Sequence, residues 1–198
     1  MQRYLPEASL DLVYEWLHPY PIKLKIAKPR TSKLGDFKVI NKKGPYFISV
    51  NGDLNPYAFL ITLTHEVAHM YDFIERKTLR EAHGAAWKKQ YITLLHQLIE
   101  QEAFPSDLLP ALRKHIARPK AASCSDPNLL NALRGFDEAP SMRIKDLPPG
   151  SRFTLTNGRQ FELGELRRTR FKCFDPARKK WYLVHGEATV ASWEATKS

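Results

Sequence analysis

Apolar positions recur at helical and mixed spacings through the first two thirds of this chain, and at the two-residue period of strands through the last third. Leu10, Val13, Tyr14 and Leu17 predict a helix over residues 6–18, with Pro6 in its first turn and His18-Pro19-Tyr20-Pro21 ending it. Residues 22–26 alternate apolar and basic, as a half-exposed strand does, and Lys28–Lys43 is a basic stretch of strands or loops around Gly35 and Asn41. Pro45–Val50 is a second strand, closed by Asn51-Gly52-Asp53. Asn55 then caps a helix with Pro56 at its first position, running to about Glu75 or Arg76. After a polar loop, a helix starting near His83 or Gly84 carries Trp87, Tyr91, Leu94, Leu95 and Leu98 as a core-facing stripe to about Glu102, and a short helix follows at Ser106–His115.

Beyond Ala117 the character changes. Arg118–Ser125 is linker-like, and Asp126-Pro127 opens a short amphipathic helix through about Arg134. From Met142 onward the pattern is β. Residues 152–156 and 159–163 flank Asn157-Gly158, the strongest short hairpin signal, and 167–174, 181–185 and 188–193 supply three more strands. The expected organisation is α+β: a domain over 1–117, a linker with a short helix over 118–141, and a small, barrel-like all-β domain over 142–198.

A hydrophobic content of 43% with ten Phe, eight Tyr and four Trp excludes wholesale disorder. Two cysteines, Cys124 and Cys173, build neither a disulfide framework nor a four-cysteine zinc ribbon. The first residues contain no continuous apolar segment of signal-peptide type, and no apolar run approaches the ~18 residues that span a bilayer. The expectation is a cytoplasmic protein without a membrane partner. The net charge of +10 points to an anionic partner.

The chemistry is concentrated in the capped helix, where His65-Glu66-Val67-Ala68-His69 fits HExxH. Four residues apart, His65 and His69 lie on one helix face and can share a metal ion, while Glu66, one step round, can reach a water without competing as a ligand. The competing account is a buried helix with two satisfied core histidines. A third ligand must come from elsewhere, and Asp72, Glu75, Glu81, His83 and His96 are the candidates. His83 is best placed, after a loop long enough to fold back and beside Gly84, which permits close backbone approach.

His65–His69 followed by His83-Gly84-Ala85-Ala86-Trp87 resembles the SprT-like family of zinc metallopeptidases, which includes the Spartan-type DNA–protein crosslink proteases. Ile48–Leu54 is also similar to that family's strand before its active-site helix. The resemblance covers about residues 5–117. It implies a zincin-like SprT domain, Zn²⁺ held by His65, His69 and His83, Glu66 as general base, a protein substrate and DNA as a partner. The C-terminal part departs from the Cys-rich ribbon many members carry, and is closer to bacterial SprT-domain proteins of similar length. Tyr57, Tyr71 and Arg80 are candidate donors to the oxyanion.

The C-terminal segment 142–198 holds twelve Lys and Arg against six Asp and Glu. Strand alternation over 167–174 places Arg168, Arg170 and Lys172 on one face, a candidate nucleic-acid contact. The alternative function is a nucleic-acid-binding or adaptor protein whose metal site is structural or inactive. Glu66 separates the two, since a structural site has no need of an acid beside its first histidine.

Overall fold

The computed structural model describes residues 2–30, 33–78, 81–119, 126–137 and 142–195, and backbone contacts divide the chain into two units, Met1–Glu138 and Ala139–Ser198. The whole is mixed α and β. In the first unit the elements are α1 (Leu10–Leu17), β1 (Ile22–Ala27), β2 (Gly35–Val39), β3 (Tyr46–Asn51), α2 (Pro56–Arg76), α3 (Ala85–Glu100), α4 (Leu109–Ala117) and α5 (Pro127–Arg134).

The three strands form one sheet with β3 in the middle, parallel to β1 and antiparallel to β2. β3 buries Tyr46, Ile48 and Val50, the alternate positions that face α2. Beneath the sheet α2 is buried nearly all round, polar positions included, and it packs against α3, β2 and β3. Its start is fixed as the sequence indicates: the Asn55 side chain accepts from Ala58 N at 2.9 Å, and Pro56 occupies the first turn. Lys77, at φ 54°, closes the other end in the left-handed region.

The segment expected to be a linker contributes to this unit. Leu129 and Leu133 of α5 belong to its core, and Asn55 Nδ2 donates to Leu133 O at 2.9 Å and to Asp137 Oδ1 at 2.6 Å. Asp126 caps α5 by accepting from Asn128 N and Leu129 N. Its other oxygen lies 3.1 Å from Nδ1 of His115, which is 0% exposed, and His115 Nε2 lies 3.3 Å from Tyr91 Oη. One neutral tautomer serves both contacts, with Nδ1–H donating to Asp126 and Nε2 accepting from Tyr91. Cys124 lies outside the described residues.

The second unit is a five-stranded antiparallel sheet of β4 (Arg152–Leu155), β5 (Gln160–Arg167), β6 (Arg170–Asp175), β7 (Lys180–His185) and β8 (Val190–Glu194), in the order β7-β6-β5-β4-β8. Asn157-Gly158 makes the β4–β5 turn, with Gly158 at φ 80°. One face packs Phe153, Phe161, Leu163, Cys173 and Val190 against Ile144 and Leu147. The expected barrel does not form: β7 and β8 are opposite edges of an open sheet. Closure needs a register stagger that accumulates round the sheet. Here β6 and β7 pair in unbroken register over six residues, and the shifts are confined to Leu163/Leu166 and Thr154/Leu155. Among the described residues no helix is long and apolar enough to cross a membrane.

The Asp126 carboxyl is held below its ordinary value: burial opposes ionisation, but the bonds from His115 and from the α5 amides outweigh it. A depressed carboxyl stabilises the fold above its unfolded value near 3.9 and loses that effect as pH falls through the folded value. Asp126→Asn is therefore expected to destabilise the protein at neutral pH, with the gap to the wild type narrowing below about pH 4. Urea denaturation across that range checks it, and a gap independent of pH would exclude an ionised Asp126 as its source.

Candidate metal centre

Among the buried polar side chains of α2, most are satisfied within the helix itself. Thr62 Oγ1 and Thr64 Oγ1 each donate to the carbonyl four residues back at 2.8 Å, and Asp72 is gripped by Arg76, Nε to Oδ1 at 2.6 Å. His65 and Glu66 are the exceptions, for each also meets groups from outside α2.

His65 and His69 share one face of α2, and the loop after α2 brings His83 to them just before α3. Gly84 lets that loop close: its N–H donates to Glu81 O at 2.7 Å, and a Cβ built there would stand 3.0 Å from the same oxygen. The three Nε2 atoms form a triangle with edges of 3.2 Å (His65–His69), 3.1 Å (His69–His83) and 3.2 Å (His83–His65). Hydrogen bonds cannot account for all three edges. Each nitrogen is either donor or acceptor, so at least one edge pairs like with like. Burial holds the His65 imidazole down to about 3, reinforced by His69, His83 and His115. The His69 imidazole is down to about 4 through burial and His83, against the opposing charge of Asp72. His83 is lowered by burial and then by Lys88. All three are thus uncharged at neutral pH, with lone pairs available. Two nitrogens held tetrahedrally by zinc at its usual bond length stand about 3.3 Å apart, which the triangle approaches closely. These residues could hold a metal ion.

Trp87 lies against all three imidazoles, with ring centroids 4.6, 5.2 and 4.7 Å from those of His65, His69 and His83, and its Nε1–H donates to His65 O at 3.4 Å. Tyr91 stacks on Trp87 at 4.9 Å and meets His65 edge to face at 5.5 Å. His65 Nδ1 has no hydrogen-bond partner among the described residues, so these ring contacts hold that imidazole.

Glu66 points to the edge strand β2. A Cβ built on Gly35 would overlap Glu66 Oε1, Glu66 Cγ and Thr62 Cγ2, all within 2.8 Å. Burial raises the Glu66 carboxyl to about 8, helped by Asp36 and opposed by Arg30, Lys33 and the Phe37 amide. A divalent cation in the triangle would lower it again. Gly35 and Phe37 sit in the basic stretch that sequence reasoning left as strands or loops, and only the strand pairing relates them to Glu66.

The other third-ligand candidates are elsewhere engaged or exposed: Asp72 by Arg76, Glu75 by Gln90 at 3.1 Å, while His96 faces solvent and Glu81 makes the turn before Gly84. Tyr71 Oη donates to Trp16 O at 3.1 Å, and burial with Tyr20 raises its phenol to about 12, so it is not free to serve an oxyanion. Tyr57 packs edge to face on Phe136 at 4.8 Å, and Arg80 lies outside the described residues. In the second unit Arg170 and Lys172 share the outward face of β6, but Arg168 does not join them. It occupies the β5–β6 turn at φ 62°, because the strand expected over 167–174 is broken by a two-residue turn between Arg167 and Arg170.

Metal titration of the purified protein is expected to reach one equivalent, and His83→Ala to lower affinity at least tenfold, the scale on which even outer contacts of a metal site act. Unchanged metal content in that variant would remove His83 from the site. No protein-family model, curated protein or solved structure matches this chain.

Proposed function

We propose that this protein is a zinc-dependent endopeptidase of the SprT-like type. The observation that carries the reading is the convergence of three uncharged imidazole nitrogens at 3.1–3.2 Å, two of them on the helix that also presents the buried Glu66. Three protein donors, rather than four, is the donor count of a catalytic zinc site. Bound there, zinc supplies Lewis-acid polarisation of a carbonyl and brings the pKa of a water towards neutrality.

The chain's own residues supply the rest. Glu66 accepts the proton of the attacking water at its carboxylate and returns it to the leaving nitrogen. Gly35 keeps room for that carboxylate against β2. Trp87 and Tyr91 exclude water from the back of the imidazoles. β2, with β3 on one side only, offers an edge beside Glu66 to which an extended polypeptide adds by main-chain hydrogen bonds. The excess positive charge of residues 142–198 favours substrates that are themselves associated with DNA.

Glu66→Gln is expected to retain zinc while cleavage of an unfolded protein falls by at least about a hundredfold, the contribution of a positioned base. Persistent cleavage would leave Glu66 without that role, and its loss together with zinc would make Glu66 a structural residue. Gly35→Ala provides a separate check. The new methyl displaces the carboxylate without touching a ligand, so turnover is expected to fall roughly tenfold or more at unchanged zinc content. Unaltered turnover would mean that Glu66 does not work from its place against β2.

A further inference from the structure

We propose that the outward face of β6 and β7 binds single-stranded nucleic acid, with Trp181 as a stacking platform and Arg170 and Lys172 as phosphate contacts. This deepens the reading of DNA-associated substrates, but it stands on the second unit alone.

The register sets three rows side by side on that face: Arg170 beside His185, Lys172 beside Leu183, and Phe174 beside Trp181. Their alternates Phe171, Cys173, Tyr182 and Val184 pack inward. Successive rows are about 7 Å apart, so the face spans about 14 Å along the strands. Trp181 is 55% exposed and Leu183 57%, an unusual pair for a face that only needs to be solvated. The indole is positioned rather than loose. Phe174 lies 5.1 Å away at 53°, and Lys172 Nζ sits 4.8 Å from the centre of the indole.

Gly164 of β5 completes the site. A Cβ there would stand 3.3 Å from Trp181 Cζ3 and collide with Lys172 O, so a side chain at this position would crowd the indole. A shallow groove of about 410 Å³ is lined by Arg167, Lys172, Trp181, Tyr182 and Leu183.

Charge selects the occupant. The acids nearest these rows are already matched, Glu162 by Arg152 at 2.9 Å and Glu165 by Arg167 at 3.1 Å. Arg170 and Lys172 have no carboxylate partner among the described residues, and Arg168 adds a cation in the turn at one end. Cations interleaved with an exposed indole fit a strand whose phosphates and base faces are both accessible; a duplex keeps its base faces stacked inside.

The test uses the full chain carrying Glu66→Gln, so that cleavage does not interfere. Its probe is a dT oligonucleotide of about fifteen residues, within the ~4–16 nucleotides that small single-strand-binding folds cover. Tryptophan fluorescence is expected to be quenched on binding, with log affinity falling against log salt at a slope of about −1.4 for two phosphate contacts. Trp181→Ala is expected to lower affinity about ten- to a hundredfold, with Trp181→Phe restoring part of it. Arg170→Gln and Lys172→Gln should each reduce the slope by about 0.7. Trp193, opposite Phe153 and hence on the other face, is the control, and Trp193→Ala should leave affinity unchanged.

Unchanged affinity in Trp181→Ala, equal affinity for a duplex of the same length, or self-association of the protein through this face would overturn the proposal. Binding without proteolysis by the wild type would sink the peptidase reading alone. Proteolysis without binding would sink this inference alone.

Discussion

Three imidazole nitrogens about 3.2 Å apart, in a region mostly removed from water, make a contact that the protein alone does not satisfy, and the first unit is arranged to keep it. Two of the rings come from one face of α2. The third arrives only because the chain turns back after Lys77 and packs Gly84 tightly on Glu81. Burial removes the charge from all three rings and so favours the form that offers a lone pair. An apolar helix, a tight glycine turn and an aromatic wall under the rings serve the same end. Trp87 is the shared element, since it touches all three imidazoles and carries the Tyr91–His115–Asp126 chain behind it.

Glu66 is governed by a different neighbour. It is one residue from His65, yet its surroundings are set by β2, whose Gly35 makes room for it. Asp36 on the same strand pushes the carboxyl up, while Arg30 and Lys33 pull it down. Arg30 is itself fixed by Asn51 at 2.7 Å and Ser49 at 3.2 Å, so the end of β3 helps to set the charge around the carboxylate. The second unit follows other rules. Its core is small and one-sided, and its outward face keeps aromatic and cationic side chains in fixed rows.

Local signals in the sequence survive folding where their physics is local. Asn55-Pro56 caps α2, Asn157-Gly158 turns β4 into β5, Asp126-Pro127 opens α5, and the stripe from Trp87 to Leu98 is buried. Non-local outcomes were less legible. β2 is hard to tell from a loop in sequence, because its alternation, Asp36-Phe37-Lys38-Val39, is short and lies inside a long basic stretch. The break between Arg167 and Arg170 carries no glycine or asparagine, so Arg168 takes the left-handed conformation unannounced. The short helix α5 looks isolated in sequence, and its partners His115 and Asn55 lie 11 and 78 or more residues away.

The sequence by itself determined the helix that carries His65, Glu66 and His69, the capping that places it, and the excess of positive charge in the last third. Those features depend on side chains within a turn or two of one another, or on composition alone. Tertiary structure decided that His83 closes the triangle, that Gly35 makes room for Glu66, and that Trp181 shares a face with Arg170 and Lys172. It also left the sheet open where a barrel was expected. Each of these rests on pairing between distant segments, which is set by burial and register across the whole fold and is not written in any single stretch of chain.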